Sequence, residues 1–490
     1  MAGTETQAAR AHWPARLAAS RFARALALAL AATLAYGTAS AFAAPTGTIP
    51  AIGVNDIRGD GILLPNQSWN GVADLSFVSS AGAELYRAPL HLNCVDPNYT
   101  GTFNFSVNSP YCDNLNYDTL VRTLADDGMT WLPVLINDNR TTGAALPPTS
   151  SGAGGSPTIS EFAAFAAAAV ARYGPSGSFW GTCGCTYEPI QAWEVWNEEN
   201  NGAWWGGDAS ADAYASVFSA VRTALRGVDP QARVVVGGLA FDPNGQSSFV
   251  QPAQMIQALS ANNANAFDAV AIHPYTDAQG ESSEELAQSA IAYVNQTAAT
   301  LVASTGPSAT GGPRQQIWVS EMGWSSTDNT DVTIAGGFQD FIGYVDGGAR
   351  AGDNIGPILW YMLRDNSTVS SRDDALGLRY TNANGSDNGP KPIWSAFSAA
   401  AQSEGTLALP AALSDSGPYV APPPASTTPP TTGATSPTTS GTTKGSSGAK
   451  SATAKKTARR CTKVTKHHHT KTVCRSVRAK TAAKAPAKKK

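Results

Sequence analysis

The sequence has few charged residues, no acidic residue near its C-terminus and no motif for phosphate or cofactor chemistry. Charged side chains make up 14% of its 490 residues, and no Asp or Glu follows residue 420. The first strand-like segment, IGVNDIRGDG, lacks the G-x-G-x-x-G spacing of a dinucleotide-binding turn. The chain also has no metal-ligand constellation and no Ser-His-Asp order. We therefore expect neither a cofactor nor a metal.

The charge that is present divides the chain. Residues 45–420 carry 14 Lys and Arg against 36 Asp and Glu, whereas residues 421–490 carry 16 against none. With 42% hydrophobic residues overall, the chain can bury a full-sized core. The composition predicts a globular domain over 45–404, a Pro/Thr/Ser/Gly-rich linker over 405–449 and a basic, low-complexity tail over 450–490.

The N-terminus has the order of a secretory signal. Four arginines precede the apolar run ALALALAATLA, which leads into the small residues TASAFAAP. A membrane anchor is the alternative, but the run is shorter than the roughly 20 residues that span a bilayer. We predict a signal peptide over 1–44 and a secreted or cell-wall-associated protein without a transmembrane segment in the mature chain.

The six cysteines suggest disulfides in an exported chain. Proximity in the sequence favours the pairs Cys94–Cys112, Cys183–Cys185 and Cys461–Cys474. The Cys-Gly-Cys pair could also stay reduced, because so short a loop strains the bridge. A zinc site is the weaker alternative.

The basic tail would be attracted to an anionic surface such as cell-wall polymer or acidic lipid. Nucleic acid competes for the same charge, but an exported protein rarely meets it and the tail lacks aromatics for base stacking. A solvated tail without a specific partner is as good an interpretation. His467, His468 and His469 suggest metal capture only weakly.

Strand-like apolar runs alternate with helical stretches between residues 50 and 402. Eight such runs occur, at 52–57, 83–90, 129–136, 190–198, 233–239, 267–275, 316–324 and 356–363. Thr158 with Glu161 and Ser282 with Glu285 predict capped helix starts between them. Strands that alternate with one-faced helices imply a parallel sheet, and eight units predict a closed (β/α)8 TIM barrel. A doubly wound open sheet is the rival fold.

Two glutamates end apolar runs of this barrel. Glu198 ends the fourth run and Glu321 ends the seventh, and active sites of such barrels lie at the C-terminal ends of the strands. Facing carboxylates suit the cleavage of an acetal, in which one group donates a proton and the other attacks or stabilises a cationic carbon.

The strings around these residues resemble a known family. WEVWNE, AIHPY, VSEMGW and ILWYML are similar to the fourth, sixth, seventh and eighth strands of retaining glycoside hydrolases of clan A, most like family 39, with family 5 cellulases as near relatives. The similarity covers residues 50 to about 402, including GPKPIWSAF near its end. It implies a β-glycosidase that acts on oligo- or polysaccharides by double displacement. The rival function is a carbohydrate-binding or wall-associated barrel that has lost catalysis.

The resemblance also implies a role for each matched residue. Glu198 would be the general acid/base and Glu321 the nucleophile. Asn197 would bind the sugar 2-hydroxyl, which requires a bulge or twist because a regular strand points it away from Glu198. The family often has Pro where Glu199 stands here, which leaves the path of this loop open.

Four more matched residues would complete the substrate site. Arg87 would lie beside the nucleophile, Tyr275 would hold Glu321 as a carboxylate, and His273 would support the same wall. Trp360 would form the floor under the sugar.

Other polar and aromatic residues allow weaker predictions. Glu194 lies deeper along the fourth run and is expected to be a buried structural partner. Asn137 and Asp138 end the third run and are candidates for substrate contact. For three tryptophans near the catalytic strands, sugar stacking and loop packing are equally open: Trp204, Trp205 and Trp324.

Overall fold

A computed structural model describes most of the chain between residues 51 and 422. The described residues are 51–55, 71–106, 116–139, 142–241, 248–275, 279–347, 352–403, 409 and 411–422, together with the backbone of 459–466 and 469–476. The predicted signal peptide over 1–44 lies outside them. The chain divides into two compact units, Met1–Pro422 and Pro423–Lys490.

Eight parallel strands close into a barrel, so the predicted (β/α)8 fold is confirmed. The strands are β1 Ile52–Asn55, β2 Leu85–His91, β3 Thr130–Ile136, β4 Ala192–Val195, β5 Arg233–Ala240, β6 Ala269–His273, β7 Gln316–Met322 and β8 Ile355–Tyr361. Each pairs with the next in sequence, and β8 returns to β1. Nearly every strand residue is buried, as expected for strands covered by helices outside and filled by side chains inside.

Helices alternate with these strands. They are α1 Gly71–Ala81, α2 Leu92–Val95, α3 Tyr117–Asp126, α4 Ile159–Tyr173, α5 Gly202–Trp205, α6 Ala211–Val228, α7 Pro252–Ser260, α8 Ser283–Thr305, α9 Asp331–Asp346 and α10 Pro392–Ser403. None of the helices in the described ranges is long and apolar enough to cross a bilayer.

Two helix starts follow the predicted capping chemistry. Thr158 and Glu161 form a capping box before α4, and Ser282 and Glu285 form another before α8. Each pair satisfies backbone N–H groups that would otherwise lack a partner in the first turn. The sequence signals therefore set where these two helices begin.

Two cysteines in the loop that precedes β4 are joined. The Sγ atoms of Cys183 and Cys185 lie 2.00 Å apart, which forms a disulfide. Cys94 is also disulfide-bonded, but its predicted partner Cys112 lies outside the described residues.

Leu409 covers the N-terminal end of the barrel, and residues 411–422 bind to residues beside that end, such as Asp268 and Asn265; we call Leu409 and residues 411–422 the closing segment. Leu409 packs against a cluster of interior side chains from the strand beginnings, including Leu132 and Trp318. Arg226 donates to the carbonyl of Leu413 at 2.6 Å, and the backbone N–H of Leu413 donates to Asp268 at 2.6 Å. The first compact unit therefore ends at Pro422, later than the domain end predicted at 404.

The second unit contains a two-stranded antiparallel hairpin. Its strands are Arg459–Lys466 and His469–Ser476, and their register places Cys461 directly opposite Cys474. The disulfide between these two cysteines stays a prediction. His467 and His468, which connect the strands, lie outside the described residues.

The closing segment should stabilise the barrel. A chain that ends at Ser403 loses the two hydrogen bonds of Leu413, one to Arg226 and one to Asp268. We expect its free energy of unfolding to fall by a few kcal/mol, since each hydrogen bond to a charged group contributes about 1.5–3 kcal/mol. A chain that ends at Pro422 keeps these bonds and serves as the matched control. Urea unfolding of both chains checks this, and equal stability would contradict it.

Candidate active site

The chain leaves strand β4 through a turn of unusual backbone conformation. Strand β4 ends at Val195, and Trp196 and Glu198 follow with φ angles of 72° and 48°. Both angles lie in the left-handed region, which non-glycine residues rarely adopt. The turn directs both Asn197 and Glu198 to the mouth of the barrel, whereas an extended strand would send them to opposite sides. It is the local twist that the sequence analysis required.

Strand β7 carries the second glutamate on a β-bulge. The segment Val319–Met322 of β7 spans one residue more than its partner Ile358–Trp360 of β8. A bulge bends its strand and changes where the side chains point. As a result, the adjacent residues Ser320 and Glu321 both make contacts within the site.

The two glutamates meet across the mouth of the barrel. One carboxylate oxygen of Glu198, one of Glu321 and a ring nitrogen of His273 all lie within 4.8 Å of one another. Glu321 is 8% exposed, and Glu198 is partly exposed. Two residues more than 100 positions apart in the sequence thus share one site.

Arg87 on strand β2 holds this site together. Its Nη1 donates to Glu321 at 2.6 Å, and its Nε and Nη2 each donate to Glu194 at 2.8 Å. Its Nη2 also donates to Asn197 at 2.8 Å. Burial alone would lower the pKa of Arg87, but the charges of the two glutamates and their hydrogen bonds raise it above its ordinary value. Arg87 is therefore a permanent cation behind Glu321.

Tyr275 contacts the other side of the same glutamate. Its hydroxyl donates to Glu321 Oε2 at 2.9 Å. Burial, and then the charge of Glu321, raises the pKa of Tyr275 well above its ordinary value. The phenol therefore keeps its proton and remains a donor, which is the contact that the resemblance implied.

Glu194 is the buried structural partner that the sequence analysis expected. It is 0% exposed and accepts two bonds from Arg87 and one, at 3.0 Å, from the backbone N–H of Gly238. Ser320 Oγ donates to the same carboxylate at 3.3 Å. All these partners are donors, so Glu194 acts as an acceptor for the whole site.

The acceptor role of Glu194 determines how the ring of His273 is protonated. Because Ser320 gives its hydroxyl proton to Glu194, its oxygen is left to accept from His273 Nε2, 3.1 Å away. The other ring nitrogen, Nδ1, lies 3.0 Å from Glu198 Oε1. A hydrogen bond there requires one proton, carried either by His273 Nδ1 or by Glu198. His273 therefore contacts the acid/base candidate rather than only the wall of the nucleophile.

Asn201 completes the surroundings of Glu198. Its side-chain Nδ2 donates to Glu198 Oε2 at 3.0 Å, and its Oδ1 caps helix α5 by accepting from Ala203 N–H. The capping bond holds the Asn201 amide in place, and the amide in turn orients Oε2 of Glu198.

Two glycines on strand β5 make room for this arrangement. A Cβ on Gly238 would lie 1.8 Å from His273 Nε2, and one on Gly237 would lie 2.4 Å from Glu199 Oε2. The register of β5 against β6 shifts at this position. Any side chain here would overlap Glu199 or His273.

Glu199, where the family often has Pro, does not point into the mouth of the barrel. Its carboxyl group is fully buried beside Gly237, close to Tyr214 of helix α6. Burial raises the pKa of Glu199 well above its ordinary value. It lies next to Glu198 in the sequence, but it belongs to the layer between barrel and helix.

The position of Trp360 corrects the expectation that this residue forms the sugar floor. Trp360 is 1% exposed and packs edge-on against Trp324 and against Phe338 of helix α9. Side chains alternate along a strand, so the next residue, Tyr361, faces the mouth instead. Tyr361 is partly exposed, and its ring lies 6.3 Å from that of Tyr275.

The other aromatic and polar candidates differ in whether they are buried or exposed. Trp205 and Trp324 are buried in packing, whereas Trp204 is 38% exposed. Asn137 donates to Tyr99 at 3.0 Å, and Asp138 accepts from Asn93 at 3.2 Å, and both are buried. Of the three tryptophans, Trp204 alone keeps a surface for stacking.

The sequence analysis missed Ser320, Asn201 and Tyr361. Tyr361 could have been predicted from the alternation of side chains along a strand. If Trp360 packs against the helices outside the barrel, its neighbour Tyr361 must point the other way. Ser320 and Asn201 gave no such signal, since their roles depend on a bulge and on a helix cap that only the folded backbone defines.

The comparisons with known proteins bear on the fold. No protein-family model and no curated protein matches the chain. Among solved structures, a family 39 glycoside hydrolase from the gut symbiont Bacteroides cellulosilyticus WH2 is 17% identical over 71% of this chain and 63% of that one, with a TM-score of 0.47. This chain thus spans less than two thirds of that protein.

Two further solved structures are similar. A glucosidase from Croceicoccus marinus is 14% identical over 73% of this chain and 68% of that one, with a TM-score of 0.50. A GH5_18 protein from Bifidobacterium longum subsp. infantis is 16% identical over 75% of this chain and 81% of that one, with a TM-score of 0.49. At these identities the likeness concerns the fold, and the match to the glucosidase agrees with the closed barrel described above.

Replacing Arg87 by Ala should destabilise the protein strongly. The substitution leaves Glu194 and Glu321 as buried carboxylates without their cation, a loss of about 3–5 kcal/mol. Arg122→Ala, at an exposed position of helix α3, is the control and should stay within about 0.5 kcal/mol of the parent. Urea unfolding measures both, and similar losses in the two variants would refute the role of Arg87.

Proposed function

We propose that this protein is a retaining β-glycosidase of clan A, most like family 39, which hydrolyses β-linked oligo- or polysaccharides. The observation that carries the proposal is the approach of Glu198 and Glu321 to within 4.8 Å across the mouth of the barrel. Retaining glycosidases have carboxyl groups about 5–5.5 Å apart, whereas inverting enzymes need roughly 6.5–9.5 Å to fit a water molecule. The 4.8 Å is an upper limit for one oxygen of each carboxylate, and such a close approach supports the shorter separation and hence retention.

In the first step, Glu198 gives a proton to the glycosidic oxygen while Glu321 attacks the anomeric carbon. The bond to the leaving group breaks, and a glycosyl ester forms on Glu321. Arg87 and Tyr275 donate to Glu321 and orient it for the attack. His273 and Asn201 hold the two oxygens of Glu198.

In the second step, Glu198 takes a proton from water, and the water oxygen attacks the anomeric carbon. The ester bond breaks, and Glu321 is regenerated as a carboxylate. Asn197 would bind the sugar 2-hydroxyl, since its amide is oriented by Arg87 through Oδ1 and has its Nδ2 left to donate. Tyr361, rather than Trp360, would lie under the sugar.

We further propose that the protein is exported and that its basic tail binds an anionic cell-wall or surface polymer. The arginines and apolar run before residue 45 support export. Residues 421–490, which include the tail, carry 16 basic and no acidic residues, and this supports the choice of an anionic partner.

Replacing either glutamate should stop turnover, each with its own signature. We expect Glu321→Gln to lower kcat by about 10⁴-fold or more, since it removes the nucleophile. Glu198→Ala should lower kcat by about 10²–10⁴-fold on substrates whose leaving group needs a proton, and less on activated aryl glycosides. Added azide should then yield the β-glycosyl azide, because azide needs no general base.

Glu199→Gln is the matched control for these variants and should keep the parent kcat, because the carboxyl group of Glu199 is buried and does not face the mouth. The readouts are rates on a panel of aryl glycosides and polysaccharides, and the anomer formed first, determined by NMR. Binding without hydrolysis on the whole panel would favour the inactive carbohydrate-binding barrel. A first product of inverted configuration would refute double displacement.

Deleting residues 423–490 should weaken adsorption to anionic cell-wall polymer without changing kinetics on soluble substrates. Adsorption of the full chain should fall as salt rises, because salt screens exposed charges. A pull-down against insoluble polymer at low and high salt measures this. Equal adsorption of both chains would exclude the tail as the anchor.

A further inference from the structure

We propose that Glu198, His273 and Glu321 form a binding site for a zinc-like divalent metal ion, and that occupancy of this site inhibits the enzyme. The binding part stands on geometry alone, whereas the inhibition rests on the proposed glycosidase function. The ion would regulate the reaction from outside and would have no part in it.

The spacing of the three ligands suits a small ion. His273 Nδ1 lies 3.0 Å from Glu198 Oε1 and 3.6 Å from Glu321 Oε2. All three ligand atoms lie within 4.8 Å of one another. Zinc binds His nitrogen and carboxylate oxygen at about 2.0–2.2 Å, so tetrahedral ligands around it are separated by roughly 3.3–3.5 Å. The two distances from His273 Nδ1 lie just below and just above this range. A small movement of the Glu198 side chain would shorten the third distance, between the two carboxylates.

The type of ligands selects the kind of ion. Zinc binds imidazole nitrogen and carboxylate oxygen, and three protein ligands leave its fourth tetrahedral position open to water. Calcium and magnesium need about six or more oxygen ligands and make little use of imidazole. Among common biological ions, the site therefore favours zinc and its neighbours in the transition series.

The surroundings of His273 prepare its ring for a metal. Ser320 donates to Glu194, so it accepts from His273 Nε2, and in the neutral ring the lone pair then lies on Nδ1. This is the nitrogen that faces both glutamates. Metal-binding histidines are usually oriented in this way, by a partner on the other ring nitrogen.

The charges around the site also favour a cation. Three carboxylates, from Glu194, Glu198 and Glu321, surround one guanidinium, that of Arg87. Arg87 bonds Glu321 through Oε1, and Tyr275 donates to Oε2, the oxygen nearer His273, whose second lone pair would bind the ion. An ion bound there would occupy both carboxylates at once, so neither the acid nor the nucleophile could act.

Calorimetric titration with Zn²⁺ tests the binding directly. The full-length protein would carry His467→Ala, His468→Ala and His469→Ala, since the tail histidines could bind zinc themselves. We expect one equivalent of Zn²⁺ to bind this parent and also the control Glu199→Gln. Glu198→Gln should bind at least about tenfold more weakly, and Ser320→Ala about 10- to 100-fold more weakly, the usual effect of removing a partner of a metal-binding histidine.

Activity measurements separate this proposal from the proposed function. Zinc should inhibit glycoside hydrolysis competitively, with an inhibition constant equal to the calorimetric Kd. Thermal unfolding of each variant without metal verifies its fold. Zinc binding without any glycoside hydrolysis would support the site and refute the enzyme. Hydrolysis without saturable zinc binding, or equal binding by the Glu198→Gln and Glu199→Gln variants, would overturn the site.

Discussion

The guanidinium of Arg87 is the interaction on which the site depends. Glu194 and Asn197 come from strand β4 and the turn that follows it, Glu321 comes from strand β7, and each bonds to this one cation. A buried carboxylate is costly unless it is paired and hydrogen-bonded, and two buried carboxylates close together are costlier still. The buried position of Arg87 thus explains how the barrel can hold so much negative charge at its mouth.

The same network reaches the other catalytic candidate by a second route. Glu194 accepts from Ser320, Ser320 accepts from His273, and His273 contacts Glu198. Because these hydrogen bonds share members, a change in the donor or acceptor role at one end changes the roles available at the other. The proposed acid/base and nucleophile are thus coupled through the protein as well as across the gap between them.

The barrel could be predicted from the sequence because the same local pattern, an apolar strand followed by a helix, repeats along the chain. Eight apolar runs, each near a capped or amphipathic helix, leave few alternative arrangements, and all eight became barrel strands. Glu198 and Glu321 were found because strand ends in such barrels converge. The closing segment was missed, since a few apolar residues in a polar stretch do not reveal that a barrel end is open and needs cover.

Two details of the site depend on irregular backbone. Regular alternation cannot foresee the turn at Trp196 or the bulge at Ser320, and these two features decide which neighbouring side chains face the mouth. Trp360 was chosen by resemblance of its string, but the structure assigns the mouth to Tyr361. Where strands stop being regular, sequence patterns lose their predictive value, and active sites lie at such positions.

The glycine pair of strand β5 has a consequence for how this protein can evolve. Every other amino acid carries a Cβ, so no codon change at Gly237 or Gly238 that alters the residue avoids a collision with Glu199 or His273. Changes in what the site binds are therefore left to the loops around the rim, where the ring of Trp204 is partly exposed. Laboratory libraries aimed at specificity would do best to leave the glycine pair untouched and to diversify those loops.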